Sequence, residues 1–288
     1  MIIKRFTTGA LTDREPNDSR DLLAVEEPLE IRLEYGAGNN LVKRSIAITM
    51  RTPGDDAYLA AGFLFTEGIL THPEQIAELQ ACGPQSGVHA GQNIIRVKLK
   101  DHVTPHITQL ERHFYATSSC GICGKASLDA VMIRGIQTIA PDAVAIRRSF
   151  VARLPAILRS SQPTFDATGG NHAAALVTAE GQVRACFEDV GRHNAVDKVI
   201  GSAFLAGRLN KHPATERTSI SSELMIVSGR AGFELVQKSL VAGIPALLAI
   251  GAPSSLAVSL AERFGMTLIG FMRDRGFNVY SGGWRIHD

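Results

Sequence analysis

Cys120 and Cys123, in the stretch Ser118-Ser119-Cys120-Gly121-Ile122-Cys123-Gly124-Lys125, have the residue types most suited to chemistry. A thiolate can act as a nucleophile, a metal ligand or half of a disulfide. Two thiols three residues apart fit a zinc half-site, a redox disulfide, or a nucleophile with a resolving partner. A closed zinc site needs four ligands, and Cys82, Cys186 and scattered histidines offer no second CxxC. A thioredoxin-type motif follows a strand early in a βαβ unit, whereas this pair lies in mid-chain after Arg112-His113-Phe114-Tyr115. The surroundings favour a nucleophile. Gly121 and Gly124 let the backbone turn around both sulfurs, while Lys125 and the helix expected after it bring positive charge. Lowering a thiol from a pKa of about 8.5 to about 7 takes roughly 2 kcal/mol, within reach of a helix amino terminus and one ammonium group. Gly124-Lys125-Ala126-Ser127 is not a phosphate loop, because Ser119 replaces its first glycine and Ala126 separates the lysine from the serine.

Two further groups of residues suit ligand chemistry. Thr168-Gly169-Gly170-Asn171-His172-Ala173-Ala174 precedes a strand, and Glu188-Asp189-Val190-Gly191-Arg192-His193-Asn194 leads into a helix. His172 and His193 are candidates for moving protons or binding a partner group, against a simpler role in capping and local hydrogen bonding. Three glycine-containing stretches follow short apolar runs: Ser228 to Gly232 with Arg230, Gly251 to Ser255 with Ser254 and Ser255, and Phe271-Met272-Arg273-Asp274-Arg275-Gly276. On parallel strands they would share the carboxyl edge, where open α/β sheets bind ligands. Glycines for close approach, serines at a helix start and Arg230, Arg273 and Arg275 would suit phosphates there. The simpler alternative is an ordinary cap and solvated arginines.

The elements that must position these groups follow from periodicity. Pro28 to Leu33 and Arg44 to Met50 read as a hairpin across Gly36 to Asn40, Ala57 to Glu67 as a helix, and Asn93 to Lys100 as a half-exposed strand. Residues 1–112 are expected to form a small α+β domain, with 113–288 a second α/β domain carrying the cysteine loop and the ligand edge. In the second, a helix is expected from about Ala126 to Ile139, a hairpin from Ala173 to Glu188, and a helix from Gly191 to Leu209. Leu224 to Val227, Pro245 to Ile250 and Thr267 to Phe271 alternate with helical stretches, a βαβαβ pattern of parallel strands. Ala206 to Ser222 reads as an exposed loop.

Composition bounds the remaining classes. With 288 residues, 45% of them hydrophobic, the chain can bury a full core, and four cysteines are too few for a disulfide framework. A net charge of +2 argues against nucleic acid or an anionic membrane surface as the main partner. Met1 to Arg20 has no apolar run suited to a signal peptide and reads as a frayed leader; Leu240 to Pro253 is too short to span a bilayer. A reducing, cytoplasmic setting is expected.

Taken in order, these segments resemble a known family, the formate dehydrogenase accessory sulfurtransferases called FdhD. The resemblance runs from Glu26-Glu27-Pro28-Leu29 through Arg51-Thr52-Pro53-Gly54-Asp55-Asp56, Gly62 to Gly68, the cysteine loop, Thr168 to Ala174 and Glu188 to His193. It continues through Ser228 to Lys238, Ala252 to Val258 and Gly270-Phe271. It implies a cytoplasmic carrier that takes sulfur from a cysteine desulfurase and passes it to the molybdenum cofactor, as the bis(guanine dinucleotide), before insertion into the formate dehydrogenase apoenzyme. Cys120 matches the persulfide-bearing cysteine and Cys123 its partner, Lys125 would lend support, and Phe271 to Gly276 matches the cofactor-binding stretch. The resemblance also implies a cytidine-deaminase-like three-layer domain beside the smaller amino-terminal one, and a homodimer; with too few further ligands for zinc, no tightly held metal is expected. Deamination itself is disfavoured, since His172 is followed by Ala173-Ala174 where a His-x-Glu would be needed. A chaperone that only binds the cofactor, or a zinc or redox CxxC protein, are the alternatives.

Overall fold

The computed structural model describes residues 2–5, 17–85, 92–106, 136–209 and 220–288. Strand β1 (Ile2–Arg5) pairs antiparallel with β2 (Asn17–Arg20), so these parts of the expected frayed leader form a short ladder. The expected hairpin follows as β3 (Glu27–Tyr35) and β4 (Val42–Arg51). Period-two alternation turns Leu29, Ile31 and Leu33 of β3 inward. Helix α1 (Asp56–Thr66) packs on this face, and β5 (Ile76–Gln85) and β6 (Gln92–Leu99) complete a sheet in the order β4-β3-β6-β5. Only β3 and β6 run parallel in it.

The rest of the chain builds a mixed α/β unit. Its first elements are β7 (Ile146–Arg147) and three short helices, α2 (Arg148–Val151), α3 (Leu154–Arg159) and α4 (Pro163–Thr168). There follow β8 (His172–Thr178), β9 (Val183–Asp189), α5 (Arg192–Leu205), β10 (Glu223–Val227) and α6 (Phe233–Val241). Next come β11 (Ala246–Ala249), α7 (Ser255–Arg263), β12 (Thr267–Arg273), β13 (Gly276–Ser281) and β14 (Ile286–His287), the last pairing with β7. The six-stranded sheet has the order β13-β12-β11-β10-β8-β9. Strands β10, β11 and β12 are parallel, as the βαβαβ rhythm predicts, while β8 runs antiparallel to β10.

Alternation along these strands builds two cores. Ala173, Ala175, Val177, Leu224, Ile226 and Leu248 face Phe150, Val151, Leu154 and Leu158 of the short helices. Ala174, Leu176, Met225, Val227 and Leu247 face helices α5 to α7, and this core continues through Leu59 and Leu64 of α1 to Leu29, Ile31 and Leu33. One apolar mass therefore runs from the four-stranded sheet to the six-stranded one. The expected boundary at 112 lies outside the described residues.

Helices α1 and α5 meet through glycines. A Cβ on Gly62 would lie 1.9 Å from the Asp197 carbonyl oxygen, and one on Gly201 1.9 Å from that of Tyr58. Only hydrogen at both positions allows so close an approach of two backbones. Below this contact the buried Lys238 Nζ lies 2.8 Å from Asp197 Oδ2 and donates to Thr66 Oγ1 at 3.0 Å, tying α1, α5 and α6 together.

Two expectations need amending. Residues 136–139, the end of the helix expected from Ala126, are not helical; the Ile139 N–H donates to the Phe264 carbonyl at 2.8 Å instead, and the remainder of that helix lies outside the described residues. The expected exposed loop Ala206 to Ser222 is exposed at Ala206, Gly207 and Ser222 but anchored by the buried Leu209 and Ile220, with residues 210–219 outside the described ones.

Candidate functional site

The three glycine-containing stretches do converge on the carboxyl edge of β10, β11 and β12, where backbone hydrogen bonds join them. Gly251 N–H donates to Gly229 O at 3.0 Å, Phe271 N–H to Gly251 O at 3.1 Å, Ala231 N–H to Ala252 O at 3.1 Å, and Ser254 N–H to Ala231 O at 3.0 Å. A Cβ on Gly251 would lie 2.8 Å from Gly229 O, and one on Gly270 2.8 Å from Pro253 Cδ, so these glycines are required for the loops to touch. A single continuous rim results.

The candidate ligands sit on this rim in different states. Arg230 and Arg275 are exposed and have no hydrogen-bond or ion-pair partner among the described residues. Arg273 is partly committed, donating from Nη1 to the carbonyls of Ile250 and Met272, both at 2.7 Å. Ser254 caps α7, its Oγ accepting from Ala257 N–H at 3.3 Å, which is the simpler of the two roles its sequence allowed; Ser255 is exposed at the first position of that helix. The stretch Phe271 to Gly276 is not an open strand-end loop. β12 runs on to Arg273, which pairs with Gly276, so Asp274 and Arg275 form the tip of a tight hairpin, with Met272 buried beneath it. Phe271 has φ of 53° and is 44% exposed, an aromatic ring held outward on a backbone conformation that non-glycine residues rarely adopt. Beside the hairpin an open depression of about 550 Å³ is lined by Pro155, Ile250, Met272, Arg273, Asp274 and Arg275.

Because β8 is antiparallel to β10, its first residue, His172, reaches the same edge, together with Asp189 at the end of β9 and the start of α5. A Cβ on Gly229 would lie 3.3 Å from His172 Nδ1 and 3.9 Å from Arg192 Cδ. His172 is half-buried, and burial, with help from Arg192 and His193 and against Asp189, holds its pKa below the ordinary histidine value, so the ring is neutral at pH 7. His193, on the first turn of α5, places Nε2 2.7 Å from Glu234 Oε2. Its hydrogen bond to the carboxylate holds the Glu234 pKa low.

Beneath these groups lies a buried polar clasp. Asp189, fully buried, accepts from Gly191 N–H and Asn194 Nδ2 at 2.9 Å each and from Thr52 N–H at 3.2 Å, and pairs with Lys198 Nζ at 2.9 Å. Lys198 Nζ also donates to Thr52 O, and Asn194 Nδ2 to Met50 O. The turn after β4 is thereby fixed to the amino-terminal end of α5. Lys198, Glu234, Thr52 and Arg192 are contributors that single-sequence reasoning did not assign. The signal available for them was a run of polar residues set among buried apolar ones, which marks a network without saying who pairs with whom.

Cys120, Cys123 and Lys125 lie outside the described residues. Of the other two cysteines, Cys82 is half-buried on β5, and the Cys186 thiol on β9 donates to Ser161 O at 3.6 Å. Burial, and secondarily Glu188, pushes the Cys186 thiol up to about 11, so it is not a nucleophile at neutral pH. Among the described residues no cluster of three or more His, Cys, Asp or Glu is arranged to hold a metal, and no helix is long and apolar enough to cross a membrane.

Comparison with known proteins places this architecture among others. The model of the FdhD/NarQ family matches residues 24–287. A protein of Streptomyces avermitilis named sulfur carrier protein FdhD is 47% identical over 285 residues, covering 98% of this chain and 93% of its own. The protein of the same name from Mycobacterium tuberculosis is 44% identical over 272 residues, covering 92% of each chain. The crystal structure of a protein from Desulfotalea psychrophila, assigned as a formate dehydrogenase accessory protein, superposes with a TM-score of 0.71 at 25% identity, covering 100% of this chain and 99% of that one.

Proposed function

The chain belongs to the FdhD/NarQ family, and from that membership we propose that it is a sulfur carrier of the formate dehydrogenase accessory type, working through a persulfide on Cys120. The supporting observation is the shared rim. Three loop ends joined by backbone hydrogen bonds present Arg230, Arg273 and Arg275 beside an outward Phe271 ring. This suits a ligand with phosphates and an aromatic base, and the guanine dinucleotide form of the molybdenum cofactor is such a substrate.

The chemistry requires two displacements. The Cys120 thiolate attacks the outer sulfur of a persulfide on a cysteine desulfurase; the S–S bond of the donor breaks, the donor cysteine leaves as thiolate, and Cys120 carries the sulfur as a persulfide. Cys123 thiolate then attacks the inner sulfur, on Cys120. A Cys120 to Cys123 disulfide forms and the outer sulfur leaves as hydrosulfide, to be taken up by the cofactor. The two thiols lose two electrons and the transferred sulfur gains two, so the step balances without an outside reductant. Cys186, held as a thiol, would stand aside from this traffic.

In this reading Arg230, Arg273 and Arg275 hold phosphates, Phe271 stacks on the base, and His172 and His193 are available to move protons near the delivery point. The cytidine-deaminase-like layering and the homodimer belong to the same proposal, as do the desulfurase donor and the formate dehydrogenase apoenzyme as partners. Nucleotide recognition is tested by calorimetric titration with guanosine diphosphate. Affinity should fall at least tenfold when Arg273 and Arg275 are both replaced by Ala, the loss of two charge-assisted contacts; unchanged affinity would remove the hairpin from the site.

A further inference from the structure

We propose that the amino-terminal end of α5 is an oxyanion subsite, formed by Arg192, Asn171 and the first-turn N–H groups of that helix, and that its ligand is a phosphate group. It rests on the function proposed above only for the source of that phosphate.

Among the described residues two buried donors here have no acceptor, Asn171 Nδ2 and Arg192 Nε. Asn171 is only 3% exposed. Its Oδ1 accepts from Thr52 Oγ1 at 3.2 Å, and that hydroxyl in turn receives Val190 N–H at 3.2 Å. The amide is therefore held beside the residue that precedes Gly191, the N-cap of α5, with its N–H bonds unmatched. A buried unmatched donor costs about 1–3 kcal/mol, and two of them on residues that flank one helix start call for an acceptor. Helix α5 has 14 residues and Gly191 supplies no side-chain cap, so its first-turn N–H groups add partial positive charge at the same point.

The acids nearby do not fill this need. Both Asp189 oxygens are taken by the clasp, facing Lys198, Asn194 and backbone N–H groups. Both Glu188 oxygens accept from the start of α4, from Thr164 N–H at 2.8 Å and Phe165 N–H at 2.7 Å. Glu234 is paired with His193. Arg192 forms no close ion pair with a carboxylate among the described residues, although its charge helps to hold the Glu234 pKa low. Gly229 leaves open the space where a side chain would press on His172 and Arg192. Gly229 O also holds Gly251, whose own carbonyl holds Phe271, so the subsite and the hairpin arginines lie on one edge. A nucleotide with two phosphates, or free pyrophosphate, matches this chemistry.

The test is isothermal titration of the full chain with inorganic pyrophosphate, guanosine diphosphate and guanosine. It compares the parent with Arg192→Gln, Gly229→Ala and the Arg273→Ala/Arg275→Ala double variant, each checked by thermal melting. Gly229→Ala removes no donor and only places a methyl group 3.3 Å from His172 Nδ1. Both Arg192→Gln and Gly229→Ala should weaken pyrophosphate and guanosine diphosphate about tenfold to a hundredfold while leaving guanosine unchanged. Guanosine diphosphate binding more tightly than pyrophosphate would mark a nucleotide as the source of the phosphate, and equal affinity a free oxyanion. The proposal is overturned if the parent binds no pyrophosphate, or if Arg192→Gln melts normally and binds it as the parent does. A silent Arg192→Gln beside a damaged hairpin variant would sink the subsite and spare the hairpin reading; the opposite pattern would do the reverse.

Discussion

Replacing Lys198 by Met should damage the clasp beneath the site more than any surface change. The lysine and Asp189 side chains are 1% and 0% exposed and 2.9 Å apart. Taking away one partner of such a pair leaves a buried charge without compensation, at a cost of about 3–5 kcal/mol. The three remaining bonds to Asp189, from Thr52, Gly191 and Asn194, offset part of it, while the carbonyls of Thr52 and Glu188 lose their donor. A net loss near 4 kcal/mol lowers the melting temperature by on the order of 10 °C, taking about 2–4 °C per kcal/mol for chains approaching this size. Adding Asp189→Asn removes the uncompensated charge and should recover about half of the loss. The assay is thermal unfolding by circular dichroism together with urea titration of the parent, both single variants and the double variant. A Lys198→Met protein melting within about 1 °C of the parent would refute the claim that this pair fixes the start of α5.

Gly62→Ala and Gly201→Ala each force a methyl group onto a carbonyl oxygen of the facing helix, so each should cost about 3 kcal/mol or more, measurable by urea unfolding. Because burial lowers the His172 pKa, protonation favours the unfolded chain. Its contribution to stability is present above the ordinary histidine value of about 6.5 and fades as pH falls through the lowered one, so His172→Gln should flatten the pH dependence of unfolding below about pH 6.5. Cys186, with its thiol pushed up to about 11, should escape iodoacetamide at neutral pH in the native protein and react once unfolded, as peptide mapping would reveal. Phe271→Gly relieves the positive φ of 53° and should leave melting nearly unchanged while weakening guanosine diphosphate through lost stacking, as read by calorimetry.

Much of the frame was legible because periodicity and turn residues spoke clearly. The hairpin of β3 and β4, helix α1, the hairpin of β8 and β9 and the parallel β10, β11 and β12 all lie close to where alternation and glycine turns put them. Strand β5 was missed, since Ile76-Ala77-Glu78-Leu79-Gln80-Ala81 is a poor β sequence that gains its hydrogen bonds from β6. Strand β13 was missed because Gly276 and Asn278 obscure its alternation. At the site, the glycines at positions 229 and 251 and the arginines at 230, 273 and 275 could be placed on one edge by topology alone. That Arg273 would bond carbonyls, that Ser254 would cap α7, or that Arg192 and Asn171 would be left with unmatched donors depends on tertiary neighbours no local pattern encodes.

The persulfide on Cys120 is the centre of the account. Intact-protein mass spectrometry after incubation with a cysteine desulfurase and cysteine tests it most directly. The parent and Cys186→Ala should gain the mass of one sulfur atom, removable by a thiol reductant, and Cys120→Ala should gain none. A sulfur adduct that persists in Cys120→Ala, or no adduct on the parent while the desulfurase is turning over, would contradict it.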